Sequence, residues 1–292
     1  MDDLPSRTAM GSAVLRADHM REDAPPWLLE DCLSERLLDS RSLAEVRAEI
    51  ARWAPGVRAA MRLAHAARSR LAEDAAVEGL AAGRRDYVLV GAGLDTFAWR
   101  HPAAAGLRIW EIDHPQTQRW KRQAVRERGL GEPANVRFVP ADLTASSLGA
   151  LGLPPIATWN WLGVTMYLEH QVTEDVLAVI ARQDAGTTLV VNFLLADADA
   201  DDLSRAVQAT AADVVRREGE PVRSRYTRSE VGGLLGSVGF SSVALLDAAA
   251  LKDRYFPGRR DLRLPDSTLV CVARVLPTLD GWAAVLAPLR RT

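Results

Sequence analysis

From Asp86 onward, short apolar runs alternate with helical stretches, and this alternation limits the possible folds more than any other feature of the chain. Residues 87–91, 108–112, 136–140, 158–162, 188–193, 242–246 and 268–273 read as strands, and helical stretches such as 116–128 and 173–183 lie between most of them. A strand followed by a helix and another strand pairs in parallel, so the pattern predicts an α/β, doubly wound, seven-strand sheet. The last two runs are separated mainly by loop, which predicts an antiparallel pair at one edge. The first 80 or so residues read differently. Leu28, Leu29, Cys32, Leu33, Leu37 and Leu38 recur at helical spacing, Leu43, Val46, Ile50 and Trp53 continue it, and another helix is expected over 56–82.

Composition narrows the function. An apolar share of 48% with 25% charged residues excludes a mainly disordered chain. A net charge of -2 gives no global attraction to nucleic acid or anionic lipid, so neither is expected as a partner. Cys32 and Cys271 stand alone, without metal-ligand spacing, so neither a zinc site nor a disulfide framework is expected. Met1-Asp2-Asp3 opens an acidic start without an apolar h-region, and no apolar run is long enough to span a bilayer. A cytoplasmic protein is the expectation. The acidic run Asp197-Ala198-Asp199-Ala200-Asp201-Asp202 fails as a calcium loop, because Asp202 stands where Gly is required and Gln208 where a bidentate Glu is required. A solvated helix start is expected there instead.

The chemistry is concentrated at three strand ends. Tyr87-Val88-Leu89-Val90 runs into Gly91-Ala92-Gly93, whose glycines allow a tight turn and close approach of a ligand. A dinucleotide fingerprint needs a third Gly at position 96, which is Thr96, and no phosphate-binding Gly-Lys-Ser/Thr occurs. The second strand ends in Asp113, roughly 20 residues beyond Gly91, where a carboxylate can accept from both hydroxyls of a ribose. The third ends at Asp142-Leu143, which can meet the amine and ring of an adenine. Taken singly, the glycines read as a plain turn, Asp113 as a helix cap before Pro115, and Asp142 as a turn residue. In order, at three successive strand ends, they suit an adenosine without pyrophosphate, and S-adenosyl-L-methionine is the common cofactor of that description.

These residues resemble the leucine carboxyl methyltransferase/PPM family of class I S-adenosylmethionine-dependent methyltransferases, including bacterial polyketide O-methyltransferases. The resemblance runs from Ser6-Arg7-Thr8-Ala9 and Arg16-Ala17 through Ala67-Arg68-Ser69-Arg70-Leu71-Ala72-Glu73-Asp74 to Val90-Gly91-Ala92-Gly93-Leu94-Asp95-Thr96. It continues through Glu111-Ile112-Asp113-His114-Pro115, Asp142-Leu143, Trp161-Leu162-Gly163-Val164-Thr165-Met166-Tyr167 and Arg223-Ser224-Arg225-Tyr226-Thr227. It implies a Rossmann-like class I sheet over 84–292, a helical lid over 1–83, and a lid insertion at about 197–226. It further implies that Arg70 holds the methionine carboxylate, with Arg7 near the same end. Gly91 and Gly93 lie under the methionine, Asp113 holds the ribose, and Asp142 with Leu143 holds the adenine. Read from spacing alone, Arg70 is a surface partner of Asp74 one turn away. Many relatives carry Glu where this chain has Leu162, so the cofactor's amino group must find another acceptor.

Three functions follow. The first is O-methylation of a carboxylate or hydroxyl on a small specialised metabolite such as a polyketide. The second keeps the cofactor for cyclisation or elimination, and the third is a non-catalytic interaction module. No general base is assigned. His114 is better placed than His19, His65, His101 or His170, although a helix cap explains it, and Trp27, Tyr167, Arg223 and Tyr226 are candidates to line an acceptor pocket, core packing explaining the first two.

Overall fold

A computed structural model describes residues 6–196, 200–217 and 221–277. Seven strands form one sheet: β1 (Asp86–Val90), β2 (Arg108–Asp113), β3 (Val136–Pro140), β4 (Thr158–Trp161), β5 (Thr188–Leu194), β6 (Ser242–Leu246) and β7 (Thr268–Arg274). Their order is β3-β2-β1-β4-β5-β7-β6. Pairs from β3 through β5 are parallel, and β7 runs antiparallel to both β5 and β6. This is the class I methyltransferase fold. The strand order reverses between β1 and β4, and open α/β sheets bind ligands in the crevice at the carboxyl ends of strands beside such a point.

The helices are α1 (Arg7–Glu22), α2 (Ser40–Ile50), α3 (Pro55–Ala81), α4 (Phe97–Arg100), α5 (Pro115–Glu127), α6 (His170–Ala181), α7 (Asp202–Arg217), α8 (Arg228–Ser237) and α9 (Ala248–Tyr255). Three physical signals set several of these boundaries. Pro55 and Pro115 stand at the first helical positions of α3 and α5, where a missing N–H costs nothing. Thr227 and Glu230 form a capping box at α8. Asp201 Oδ1 accepts from the Ser204 N–H at 2.8 Å, so the acidic run ends as a helix start, with Asp197 and Asp199 outside the described residues.

One face of the sheet packs Trp159, Trp161, Leu189, Val191 and Phe193 against Leu177 and Ile180 of α6 and Val231 and Leu235 of α8. On the other face Leu63, Ala66, Ala67, Leu71, Ala72 and Ala75 of α3 pack on Val190, Val270 and Val272. Helix α3 therefore shares its core with the sheet. Helices α1 and α2 bury Met10, Val14, Leu15, Val46 and Ile50 in a separate cluster that includes Leu94, just after the glycine turn.

One local expectation is corrected. Residues 28–38 form no α-helix, and only Glu35–Leu37 makes a single 3-10 turn. Side chains occupy the backbone there instead: Leu28 N–H donates to His19 Nε2 at 3.0 Å, and Ser34 N–H donates to Asp31 Oδ1 at 3.1 Å. Such bonds offer the chain an alternative to a helical ladder. After the glycine turn comes the four-residue α4, which Asp95 Oδ1 opens by accepting from the Phe97 N–H at 2.8 Å and which stops just before Pro102.

Candidate active site

A cleft of about 880 Å³ opens at the carboxyl ends of β1, β2, β3 and β4 and continues between α1, α2, α3 and α7. Small-molecule sites span ~300–1,000 Å³, so this volume suits a cofactor together with a second molecule. Its floor is the glycine turn. Gly91 and Gly93 have φ of +68° and +48°, in the left-handed region that glycine enters without steric cost. A Cβ on Gly91 would lie 2.3 Å from Val164 Cγ2, so the turn also packs directly on the segment after β4. Above it lies α1, with Ala9 Cβ 3.5 Å from where a Cβ on Gly93 would stand.

The acids at the strand ends face this cleft. Asp113 Oδ2 accepts from the Gly93 N–H, and Oδ1 accepts from the His114 N–H at 2.6 Å. Burial raises its pKa, partly offset by those two backbone donors. A carboxylate has about four acceptor sites, so two remain for ribose hydroxyls. Beneath it Glu111 pairs with the buried Lys121 at 2.7 Å. Asp142 Oδ1 is held by the N–H and hydroxyl of Thr144 at 2.9 and 2.7 Å, and these bonds keep its carboxyl below the usual range. Leu143 lines the same end of the cleft. Leu162 supplies an apolar wall, and the next residue is tied down by Gly163 N–H donating to Asn192 Oδ1 at 2.7 Å.

The arginines are distributed differently from the expectation. Arg7 lines the cleft. Arg70 does not: its Nε donates to Asp74 Oδ1 at 2.6 Å and its Nη1 to the Leu28 carbonyl at 3.0 Å. Arg68, two residues earlier on α3, lines the cleft instead, with Nη2 3.2 Å from where a Cβ on Gly163 would stand. Burial, reinforced by Arg16, lowers its pKa to about 10. Among the described residues no hydrogen bond or carboxylate partner neutralises Arg68. A guanidinium that faces a cleft without an anion is open to a ligand, and a ligand carboxylate matches its planar fork. Helical phase groups Met61, Ala64, His65 and Arg68 at i, i+3, i+4 and i+7 on one face of α3, but it does not show which face meets the ligand.

Among the other candidates, Tyr167 and Arg223 line the cleft. Arg223 also pairs with the exposed Glu169 at 2.9 Å. Trp27 instead donates Nε1–H to the Asp23 carbonyl at 2.9 Å, and the buried Tyr226 stacks on the exposed His170 at 4.5 Å between centroids. His114 lines the cleft and caps α5, accepting from the Gln116 N–H at 3.3 Å. Among the described residues no cluster of His, Cys, Asp and Glu could hold a metal, and no helix is long and apolar enough to cross a membrane.

Comparisons with known proteins bear on the family and the fold. A profile described as leucine carboxyl methyltransferase matches residues 9–181, more than half of the chain. The Bacillus subtilis (strain 168) protein YktD, which carries a provisional assignment as an S-adenosyl-L-methionine-dependent methyltransferase, is 26% identical over 290 residues, covering 88% of this chain and 93% of YktD. A Mycobacterium tuberculosis (strain ATCC 25177 / H37Ra) protein with the same assignment is 29% identical over 264 residues, covering 84% of this chain and 80% of that one. A Thermobifida fusca YX structure described as a methyltransferase superposes with a TM-score of 0.60 at 17% identity, covering 94% of this chain and 96% of that one. That likeness is one of fold.

Proposed function

The chain belongs to the leucine carboxyl methyltransferase family of S-adenosyl-L-methionine-dependent methyltransferases, and from that premise we propose that it methylates an oxygen atom of a small specialised metabolite, a polyketide being one example. When bound, the cofactor supplies an electrophilic methyl group on a sulfonium. The protein's task is to hold the two reactants in line and keep water out.

Its residues suit that task. Arg68, with Arg7 near the same end, would grip the methionine carboxylate. Gly91 and Gly93 would lie beneath the methionine chain, Asp113 would accept from the ribose hydroxyls, and Asp142 with Leu143 would receive the adenine. Leu162 leaves the amino group to backbone carbonyls at the β4 end. The described residues of 1–54 and of 197–226 would act as the lid, with α1, α2 and α7 closing the cleft on the acceptor side, while α3 packs on the sheet.

One observation carries this reading: the Arg68 guanidinium, which no carboxylate among the described residues neutralises, opens into the same cleft as the Asp113 carboxylate. A zwitterionic amino acid joined to a nucleoside is complementary to both. Incubation with S-adenosyl-L-methionine and metabolite extracts tests the reaction. Methyl transfer yields S-adenosylhomocysteine and a product heavier by one methylene, whereas methylthioadenosine as the by-product would overturn it.

A further inference from the structure

The acceptor side of the cleft contains two polar groups that accept hydrogen bonds and have nothing to accept from. His65, one turn before Arg68 on α3, donates Nδ1–H to the Met61 carbonyl at 2.8 Å. A carbonyl can only accept, so the ring hydrogen sits on Nδ1 and Nε2 keeps its lone pair. Among the described residues Nε2 has no hydrogen-bond partner, and the ring lines the cleft. Gln208 of α7 is 4% exposed and lines the same cleft. Its Nε2 donates to the Leu195 carbonyl at 3.0 Å, which fixes the amide's orientation and leaves Oε1 without a partner. Helix α7 packs on this part of α3 through Val207, Val57 and Ala60. Gln208 Oε1 is buried without a donor, which is costly, and His65 Nε2 stands open to the cleft, so both atoms fit a ligand that brings hydrogen atoms.

We propose that the acceptor is a hydroxyl compound rather than a carboxylate, and that His65 Nε2 is its general base while Gln208 Oε1 accepts from a second donor on the same molecule. The proposal rests on the methyl-transfer reading above. The hydroxyl oxygen forms its bond to the methyl carbon as the carbon–sulfur bond breaks, with that electron pair staying on sulfur, and the hydroxyl proton passes to His65 Nε2. The resulting imidazolium returns the proton to solvent after the methylated product leaves. An ionised carboxylate would need no base and would meet two lone pairs with lone pairs of its own. Burial, together with the positive charges of Arg68 on its own helix and Arg16 on α1, keeps the imidazole well below the usual histidine pKa, so the base is ready at neutral pH. Glu49 of α2 and Arg223 are further charged groups on the cleft wall.

Two probes of matched size, 1-naphthol and 1-naphthoate, test this on the full chain saturated with S-adenosylhomocysteine at about pH 7. Calorimetry is expected to show 1-naphthol binding at least roughly tenfold more tightly, with His65→Gln and Gln208→Leu each weakening it about three- to tenfold. With S-adenosyl-L-methionine, His65→Gln is expected to lower kcat toward 1-naphthol about 10²-fold, and S-adenosylhomocysteine affinity should stay within about twofold. Nitrogen-15 spectra of the unmutated protein should show the Nδ1–H tautomer of His65 persisting below about pH 6.5. Tighter binding of 1-naphthoate, or unchanged 1-naphthol affinity in His65→Gln, would overturn the choice of acceptor alone. Absence of S-adenosylhomocysteine binding would overturn methyl transfer itself.

Discussion

Arg16 and Asp31 form a buried ion pair, with Nε donating to Oδ2 at 2.8 Å, and through it the N-terminal segment is fastened to the glycine turn. The same guanidinium donates Nη2–H to the Leu94 carbonyl at 2.7 Å, and Asp31 Oδ1 accepts from the Thr96 hydroxyl. Asp31 is fully buried, so its charge depends on these partners. The floor of the cleft and the helices above it are therefore one mechanical unit.

Removing that carboxylate should loosen the unit. Asp31→Ala leaves Arg16 buried without an anion and is expected to cost about 3–5 kcal/mol, the usual penalty for breaking a buried pair. Urea denaturation measures the loss, and S-adenosylhomocysteine affinity should fall with it.

The same group sets a pH limit. Burial pushes the Asp31 carboxyl up, but the charges of Arg16 and Arg100 and the bonds from Arg16 and Thr96 outweigh it, so it titrates below its unfolded value of 3.8. A depressed folded pKa contributes stability that is fully present above the unfolded value and lost as pH falls through the folded one. Stability should therefore drop below about pH 4, with a shallower slope in Asp31→Asn, as read from urea midpoints across pH.

Gly91 admits no side chain. Gly91→Ala places a methyl group 2.3 Å from Val164 Cγ2 at a φ of +68°. Backbone strain alone costs about 1–2 kcal/mol. Thermal unfolding should fall by several degrees, and calorimetry should find cofactor affinity reduced.

Asp113→Asn keeps the shape but replaces one oxygen, which accepts from the Gly93 N–H or the ribose, with an amide donor. Loss of one charge-assisted hydrogen bond, about 1.5–3 kcal/mol, corresponds to roughly ten- to hundredfold weaker adenosine binding. Titration with S-adenosylhomocysteine measures it.

The sheet was legible in the chain because its signals are local. Apolar runs bounded by turn residues mark all seven strands, and Gly91, Asp113 and Asp142 stand at three of their ends. The segment holding Leu28 and Leu38 was not, because buried apolar residues can recur at helical spacing in an irregular stretch pinned by His19 and Asp31. The arginine at the cleft was not legible either. Arg68 and Arg70 are two residues apart on one helix and so point to opposite sides, and only the packing of α3 on the sheet decides which faces the ligand. His65 and Gln208 depend on the same tertiary choice, since one lies on α3 and the other on α7.

Calorimetric titration of Arg68→Met and Arg70→Met with S-adenosylhomocysteine distinguishes which arginine holds the methionine carboxylate. Binding should weaken roughly ten- to hundredfold in Arg68→Met, for loss of a charge-assisted bond worth about 1.5–3 kcal/mol, and change by less than about twofold in Arg70→Met. The reverse pattern, or equal affinity in all three proteins, would contradict the assignment to Arg68.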